Sequence, residues 1–183
     1  MYTDRIGKAI QTASICHENQ YRKNPEKKLP YISHPFAVGM MLSHYGFSED
    51  AVIAGILHDT VEDTAMTLQQ IEKEFGPVVA VMVRETSEPD KTLSWEDRKS
   101  RYIEHLRTAS MEAKAISCCD KIHNMKSMIE SLNAGGDIWG NMKRGKDEQI
   151  ERFAMMFGIF SKDLTKEMVT EYEAALNILK ERR

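Results

Sequence analysis

Apolar positions recur at helical spacing along most of this chain. Between residues 3 and 21, Ile6, Ala9, Ile10, Ala13, Ile15 and Cys16 outline an amphipathic first helix. Ser33-His34-Pro35 reads as the next helix start, with proline at the first helical position, and Phe36, Val38, Met40, Met41 and Leu42 lead to a stop at Gly46. Ser48 caps a third helix and Glu49 and Asp50 sit at its positive end. Thr67 caps a short helix carrying Leu68, Ile71 and Phe75, which Gly76-Pro77 interrupts. The β-branched stretch Val78 to Val83 has strand propensity, but nothing nearby supplies pairing strands, so helix is preferred. Ser87 to Ser94 is a loop, and helices follow over Trp95 to Thr108, Ala113 to Ile129, Ile150 to Phe160 and Leu164 to Leu179. The expectation is an all-α bundle in one domain over 1–183, with a core over about 3–130 and carboxyl-terminal helices over 138–181 completing it.

One stretch dominates this pattern. Ala51 to Leu57 carries no charge and runs directly into His58, Asp59, Glu62 and Asp63. On a continuous helix, His58 and Glu62 stand at i and i+4, as do Asp59 and Asp63, so the four groups form two rows on one face. Three neighbouring carboxylates repel, and partial burial raises the cost of ionising them. A divalent cation relieves both costs; the bland alternative is a solvated helix end.

The Ala113 to Ile129 segment has a main apolar stripe of Ala115, Cys118, Ile122, Met125 and Ile129, with Ile116 and Met128 adding apolar surface elsewhere. Such a helix is mostly buried. Asp120 and Asn124, again i and i+4, are its polar exceptions, and a mid-helix carboxylate there calls for a cation. Cys119 with His123 has metal-pair spacing, but cysteine is a common small core residue and no second thiolate pair exists. His105 lacks partners at ligand spacing and is read as structural. The candidate ligands are therefore His34, His58, Asp59 and Asp120. Two imidazoles and two carboxylates suit Mn²⁺, Fe²⁺ or Zn²⁺. In a metal-free bundle the same residues would be core polar groups, with buried carboxylates lacking a basic partner on their own helix.

Composition narrows the classes. The chain has 183 residues, 42% hydrophobic and 29% charged, as in ordinary globular proteins. A net charge of -3 gives no support for binding a nucleic acid polymer. The apolar runs are too short to span a membrane, and the amino end has no apolar signal region. Three cysteines, two of them adjacent, make a poor disulfide framework, so the cytoplasm is the expected compartment. A local basic run, Arg22, Lys23, Lys27 and Lys28, lies in a loop punctuated by Pro25 and Pro30.

The H…HD…D pattern resembles the HD phosphohydrolase superfamily, and HDTVEDT is similar to the hydrolase domain of the RelA/SpoT family. RKNPEKKLPYISHP and CDKIHNM resemble two further segments of that family; the four together span about 17–128, with weaker similarity through Trp139. The resemblance implies an HD-domain helical bundle in which His34, His58, Asp59 and Asp120 bind one metal, usually Mn²⁺. It assigns Glu62 and Asp63 to the attacking water, and Arg22, Lys23 and Asn124 to a small-molecule nucleotide. Lys91, Lys143 and Arg144 are further candidates for pyrophosphate contacts. The implied reaction is removal of the 3′-pyrophosphate of (p)ppGpp. Two departures stand out: small members tend to have aromatic residues where this chain has Ile150, Glu151 and Arg152, and the chain ends before a synthetase domain would begin, as in a small stand-alone hydrolase. Alternatives are an HD phosphatase acting on NADPH or another phosphorylated nucleotide, and a non-catalytic nucleotide-binding helical module. The 133–149 segment reads as a lid or a polar connection, and the role of 133–152 in substrate binding and the oligomeric state are left open.

Overall fold

The computed structural model describes residues 2–22, 28–88, 92–140, 142 and 144–182. Its helices are α1 (Asp4–Cys16), α2 (Ser33–His44), α3 (Glu49–Leu57), α4 (Thr60–Asp63), α5 (Leu68–Phe75), α6 (Pro77–Thr86), α7 (Trp95–Thr108), α8 (Met111–Asn133), α9 (Lys146–Asp163) and α10 (Lys166–Glu181). Among the described residues the only β pairing is an isolated bridge between Tyr21 and Pro30.

The bundle is organised around α3. Its residues Ala51 to Leu57 are all buried, and α1, α2, α6 and α8 pack on it. Full burial of Ile53, Ile56 and Leu57 contributes about 1.5–3 kcal/mol each relative to exposure. A helix with no solvated face cannot slide without exposing apolar surface, so its carboxyl end is a fixed platform.

α2 returns alongside α3 through a four-residue turn, Tyr45 to Ser48. Gly46 has φ 78°, and the Phe47 N–H donates to the Leu42 carbonyl at 3.0 Å to close α2. The helices approach closely at two glycines: a Cβ on Gly39 would lie 2.5 Å from Ile56 Cγ1, and one on Gly55 would lie 2.3 Å from Leu42 Cδ1. Antiparallel packing at this distance brings the start of α2 and the end of α3, and hence His34 and His58, to one end of the pair.

Caps set several boundaries. Ser48, Thr67, Ser94, Ser110 and Thr165 each accept an N–H from the first turn that follows, and Thr67 forms a capping box with Gln70. Val78 to Val83 is helical, within α6. Three expectations change. α1 stops at Cys16 rather than near residue 21, because a turn follows in which Asn19 has φ 62°. Pro35 is the third residue of α2, not the first, because a turn at Pro30 to Ile32 already bonds to the N–H groups of Ser33 and His34.

The third change matters most: the 51–64 helix is not continuous. His58 Nδ1 donates to the Gly55 carbonyl at 2.7 Å and Thr60 Oγ1 to the Leu57 carbonyl at 2.7 Å, occupying carbonyls at the end of α3. The backbone flattens at Asp59 (φ −90°, ψ −10°), and α4 restarts as a single turn in which the Asp63 N–H bonds to the Asp59 carbonyl.

Candidate metal and phosphate site

The break in the helix sends the acids of HDTVED to different neighbours. Asp59 Oδ2 lies 3.2 Å from His58 Nε2 and 3.6 Å from His34 Nε2, and accepts a hydrogen bond from the Tyr31 hydroxyl at 2.7 Å. Glu62 instead reaches the segment after α6, where its Oε2 accepts the Glu88 N–H at 3.2 Å. Asp63 is exposed, and its carbonyl accepts from Gln20 Nε2. The sequence expectation of two stacked rows is thus corrected to one acid turned inward onto the histidines, one turned toward Glu88 and one at the surface.

His34, His58 and Asp120 each present a ligand atom within 4.8 Å of the others, and all three are buried. His34 Nε2 lies 3.2 Å from Asp120 Oδ1. His58 carries its proton on Nδ1, toward the Gly55 carbonyl, and leaves its buried Nε2 with no hydrogen-bond partner. A buried imidazole nitrogen without a hydrogen-bond partner, facing two carboxylates and a second imidazole, fits a divalent metal, since each donor is of the type such ions take and without the ion a proton takes that place. Among the described residues this cluster includes no thiolate, and burial pushes the Cys118 and Cys119 thiols up.

Electrostatics agree with the donor set. Burial opposes ionisation of Asp59 and Asp120, but neighbouring positive charge outweighs it and holds both below the usual carboxylate range. His58 has the same contest with the opposite charge: burial disfavours the imidazolium, yet Asp59 and Asp120 prevail and push it up to about 9 in the metal-free protein. Burial lowers His34. Glu62 is raised, chiefly by burial and further by the charges of Glu88, Asp59 and Asp63, as suits a carboxylate that takes up a proton.

The 20–31 loop is closed at its base by Arg22 N–H to Leu29 carbonyl and Tyr31 N–H to Gln20 carbonyl bonds, both 2.9 Å. That closure aims Arg22 at α8, where its Nη2 donates to Asn124 Oδ1 at 2.8 Å while Asn124 Nδ2 donates to Asp120 Oδ1. Arg22, Asn124 and Asp120 therefore form one chain of hydrogen bonds, and the Arg22 guanidinium lies 5.7 Å from the Tyr31 ring centre. Arg144 is placed apart from that chain, paired with Glu96 and 5.5 Å from the Trp95 ring. Lys23, Lys91 and Lys143 lie outside the described residues. His105 is exposed.

Several residues at the site have roles that the sequence reading does not assign. Tyr31 and His123 hold Asp59 and His34, the latter through Nδ1 to Nδ1 at 2.9 Å. Lys121 Nζ bonds Asp120 Oδ2, which corrects the expectation that this carboxylate has no basic partner on its own helix. Adjacent side chains on a helix ordinarily diverge; the flexible lysine stem folds back because burial rewards pairing. Glu88, nearly buried, binds Arg98 Nη1 at 2.9 Å and also Lys99. The PYISHP spacing could have flagged Tyr31, and the charged face of α7 could have flagged Lys99; the Glu88 contact depends on tertiary packing alone.

The HD domain family profile matches residues 9–137. The chain belongs to the HD domain family. Among curated relatives of this HD protein, guanosine-3′,5′-bis(diphosphate) 3′-pyrophosphohydrolase MESH1 of Xenopus tropicalis is 42% identical over 125 residues, covering 67% of this chain and 69% of that one. Its Homo sapiens counterpart is 39% identical over 122 residues, covering 66% and 67%. The Haemophilus influenzae enzyme of the same activity is 36% identical over 122 residues, covering 63% of this chain but 17% of its own. In three dimensions the HD protein resembles a metazoan ortholog of SpoT described as hydrolysing ppGpp, with TM-score 0.83 and 27% identity over 97% of this chain and 96% of that one. It also resembles lmo0812 from Listeria monocytogenes EGD-e, with TM-score 0.73 and 38% identity over 82% and 97%.

Proposed function

We propose that this HD protein is a metal-dependent (p)ppGpp 3′-pyrophosphohydrolase, using one divalent ion, Mn²⁺ in first place, held by His34, His58, Asp59 and Asp120. The observation that carries the reading is the buried, unpartnered His58 Nε2 facing His34 and the two carboxylates, with Glu62 on the next turn. The similarity to proteins named for this activity supports the substrate. When bound, the ion supplies Lewis acidity toward the phosphoryl group and the attacking water.

The chain's own residues supply the rest. Glu62 accepts the proton of the attacking water, aided by an environment that favours its protonated form. The water oxygen bonds to the phosphorus attached to the ribose 3′-oxygen, the bond between that phosphorus and the 3′-oxygen breaks, and the 3′-oxygen takes up a proton from solvent, leaving GDP or GTP and pyrophosphate. The resemblance of HDTVEDT pairs Asp63 with Glu62 at that water, from a position exposed at the edge of the site. Arg22 and Asn124 orient the nucleotide, Arg22 with a fixed fork matched to phosphate oxygens. Tyr31 holds Asp59 in place.

Turnover of ppGpp with Mn²⁺, following nucleotide and pyrophosphate together, tests this. Stoichiometric GDP and pyrophosphate, lost in Glu62→Ala, is the expected result. A metal-loaded protein that leaves ppGpp intact would reject the substrate and move NADPH and other phosphorylated nucleotides forward.

A further inference from the structure

Beside the metal-ligand cluster, three helices bring cations together. Lys99 of α7 is bound to Glu88, Lys121 of α8 to Asp120, and Arg152 of α9 lies with its guanidinium carbon 5.4 Å from the Trp95 ring centre and 5.6 Å from that of Phe153. Lys121 also sits 5.6 Å from the Tyr102 ring centre. These aromatic walls exclude water from the cations without neutralising them, beyond the modest attraction of a ring face.

The three are not equally compensated. Among the described residues no carboxylate lies within ion-pair distance of Arg152, whereas both lysines are paired. Glu88, the acid whose field Arg152 feels most, already serves Arg98 and Lys99. Arg152 is half-buried, burial depresses its pKa, and Lys99 and Lys121 each feel its charge as a repulsion. A guanidinium drawn out of water without a counter-ion costs free energy, and the neighbouring like charges add to it. Arg98 and Lys99 thus share Glu88 and Lys121 holds Asp120, which leaves Arg152 outside every ion pair formed among the described residues of this cluster.

We propose that Arg152, with Lys121 and Lys99, forms the subsite that receives the pyrophosphate group of the substrate and holds pyrophosphate after cleavage. This rests on the hydrolase reading above for the identity of the anion, while the geometry itself requires only a compact, multiply charged one. Pyrophosphate matches because it links two phosphates, one for the Lys121 ammonium beside Asp120 and one for the Arg152 guanidinium, whose charges already act on one another. The planar guanidinium, braced by Trp95 and Phe153, is pre-oriented for two phosphate oxygens. Lys121 and Lys99 can turn from their acids to the anion because ammonium groups on flexible stems reorient without breaking the fold.

Calorimetric titration of chelator-treated protein with inorganic pyrophosphate tests the subsite apart from the metal. The wild type is expected to bind, and Arg152→Gln to bind about tenfold to a hundredfold more weakly, the range for a lost charge-assisted contact. Arg152→Gln is also expected to unfold, without pyrophosphate, at or above the wild-type temperature, because an uncompensated charge has been removed. Lys99→Gln gives a second reading if the first variant folds poorly, with weakened pyrophosphate binding expected again. Equal affinity in wild type and folded variants, or no pyrophosphate binding by the wild type, would overturn the proposal. Turnover of ppGpp measured alongside keeps the two readings separate: Arg152-dependent pyrophosphate binding without ppGpp turnover strikes the substrate and leaves the subsite, and the converse result strikes the subsite alone.

Discussion

His123 Nδ1 lies 2.9 Å from His34 Nδ1, so one of the two rings must accept the hydrogen bond. Burial, with the charges of His34 and Arg22, pushes His123 down to about 4, and burial lowers His34 as well, so the two Nδ1 atoms share a single proton, which a metal on His34 Nε2 would assign to His34 with His123 accepting. His34 then carries its proton on Nδ1 and directs the Nε2 lone pair at Asp59 and Asp120. His123→Leu removes the acceptor and frees the ring. Mn²⁺ affinity measured by calorimetry is expected to fall about tenfold to a hundredfold; unchanged affinity would show that His123 only packs.

Asp59 is tested by metal linkage. Mn²⁺ at about 100 times its dissociation constant should stabilise the wild type by about 2.7 kcal/mol, visible as a raised unfolding temperature that chelator reverses. Asp59→Ala is expected to lose most of that increment and to be purified with less metal than the wild type. Equal metal content in the two proteins would remove Asp59 from the ligand set.

Glu62→Gln separates chemistry from folding. A turnover loss of about a hundredfold to ten-thousandfold is expected, with metal content preserved. The Glu62 pKa is raised in the folded state, so the folded protein holds this proton more tightly than the unfolded chain, and stability from it is lost as pH rises through the folded value. The metal-free variant should therefore be as stable as the wild type or more so at pH 7, and the difference should shrink on acidification toward the ordinary glutamate value of about 4.3. A variant less stable at pH 7 and unaffected by acid would contradict the assignment.

Arg22 and Asn124 predict a change in KM more than in kcat. With the 2.8 Å bond between them broken in Arg22→Ala, a rise in KM of about tenfold or more is expected from one charge-assisted phosphate contact. A fall in kcat at constant KM would place Arg22 in the transition state instead.

Gly55→Ala tests the frame beneath the site. Its Cβ would meet Leu42 Cδ1 at 2.3 Å, between two buried helices, and overpacking of this kind costs about 1–3 kcal/mol. At about 2–4 °C per kcal/mol for a chain of this size, thermal unfolding should reveal it. Because His34 and His58 are carried on the two helices pushed apart, Mn²⁺ affinity should weaken in parallel; a destabilised variant with intact affinity would uncouple the frame from the site.

The periodic signals were legible wherever one residue and its chain neighbours decide the outcome. The all-helical class, the Ser48 and Thr67 caps, the Gly46 stop and the run of α7 could each be read from side-chain type and spacing. So could the grouping of His34, His58 and Asp120, because a buried apolar platform ending in ionisable residues leaves few other uses for them. The break in the 51–64 helix is not legible, because spacing cannot register the competition of His58 and Thr60 for the carbonyls that would continue it. The partner of Asp120 is not legible either, because pairing with an adjacent lysine depends on how much water is left around both.

By itself the sequence determined the helices, their apolar faces and the donor types available for a metal and a phosphate, since these follow from local propensity, periodicity and ligand chemistry. Only the tertiary structure decided that Glu62 points to Glu88 and not to the histidines, that Arg22 reaches Asn124 across 102 residues, and that Arg152 is left among aromatic rings with no ion-pair partner among the described residues. Those outcomes depend on which helices share an end of the bundle and on how far each charge is removed from water, quantities that exist only once the chain has packed.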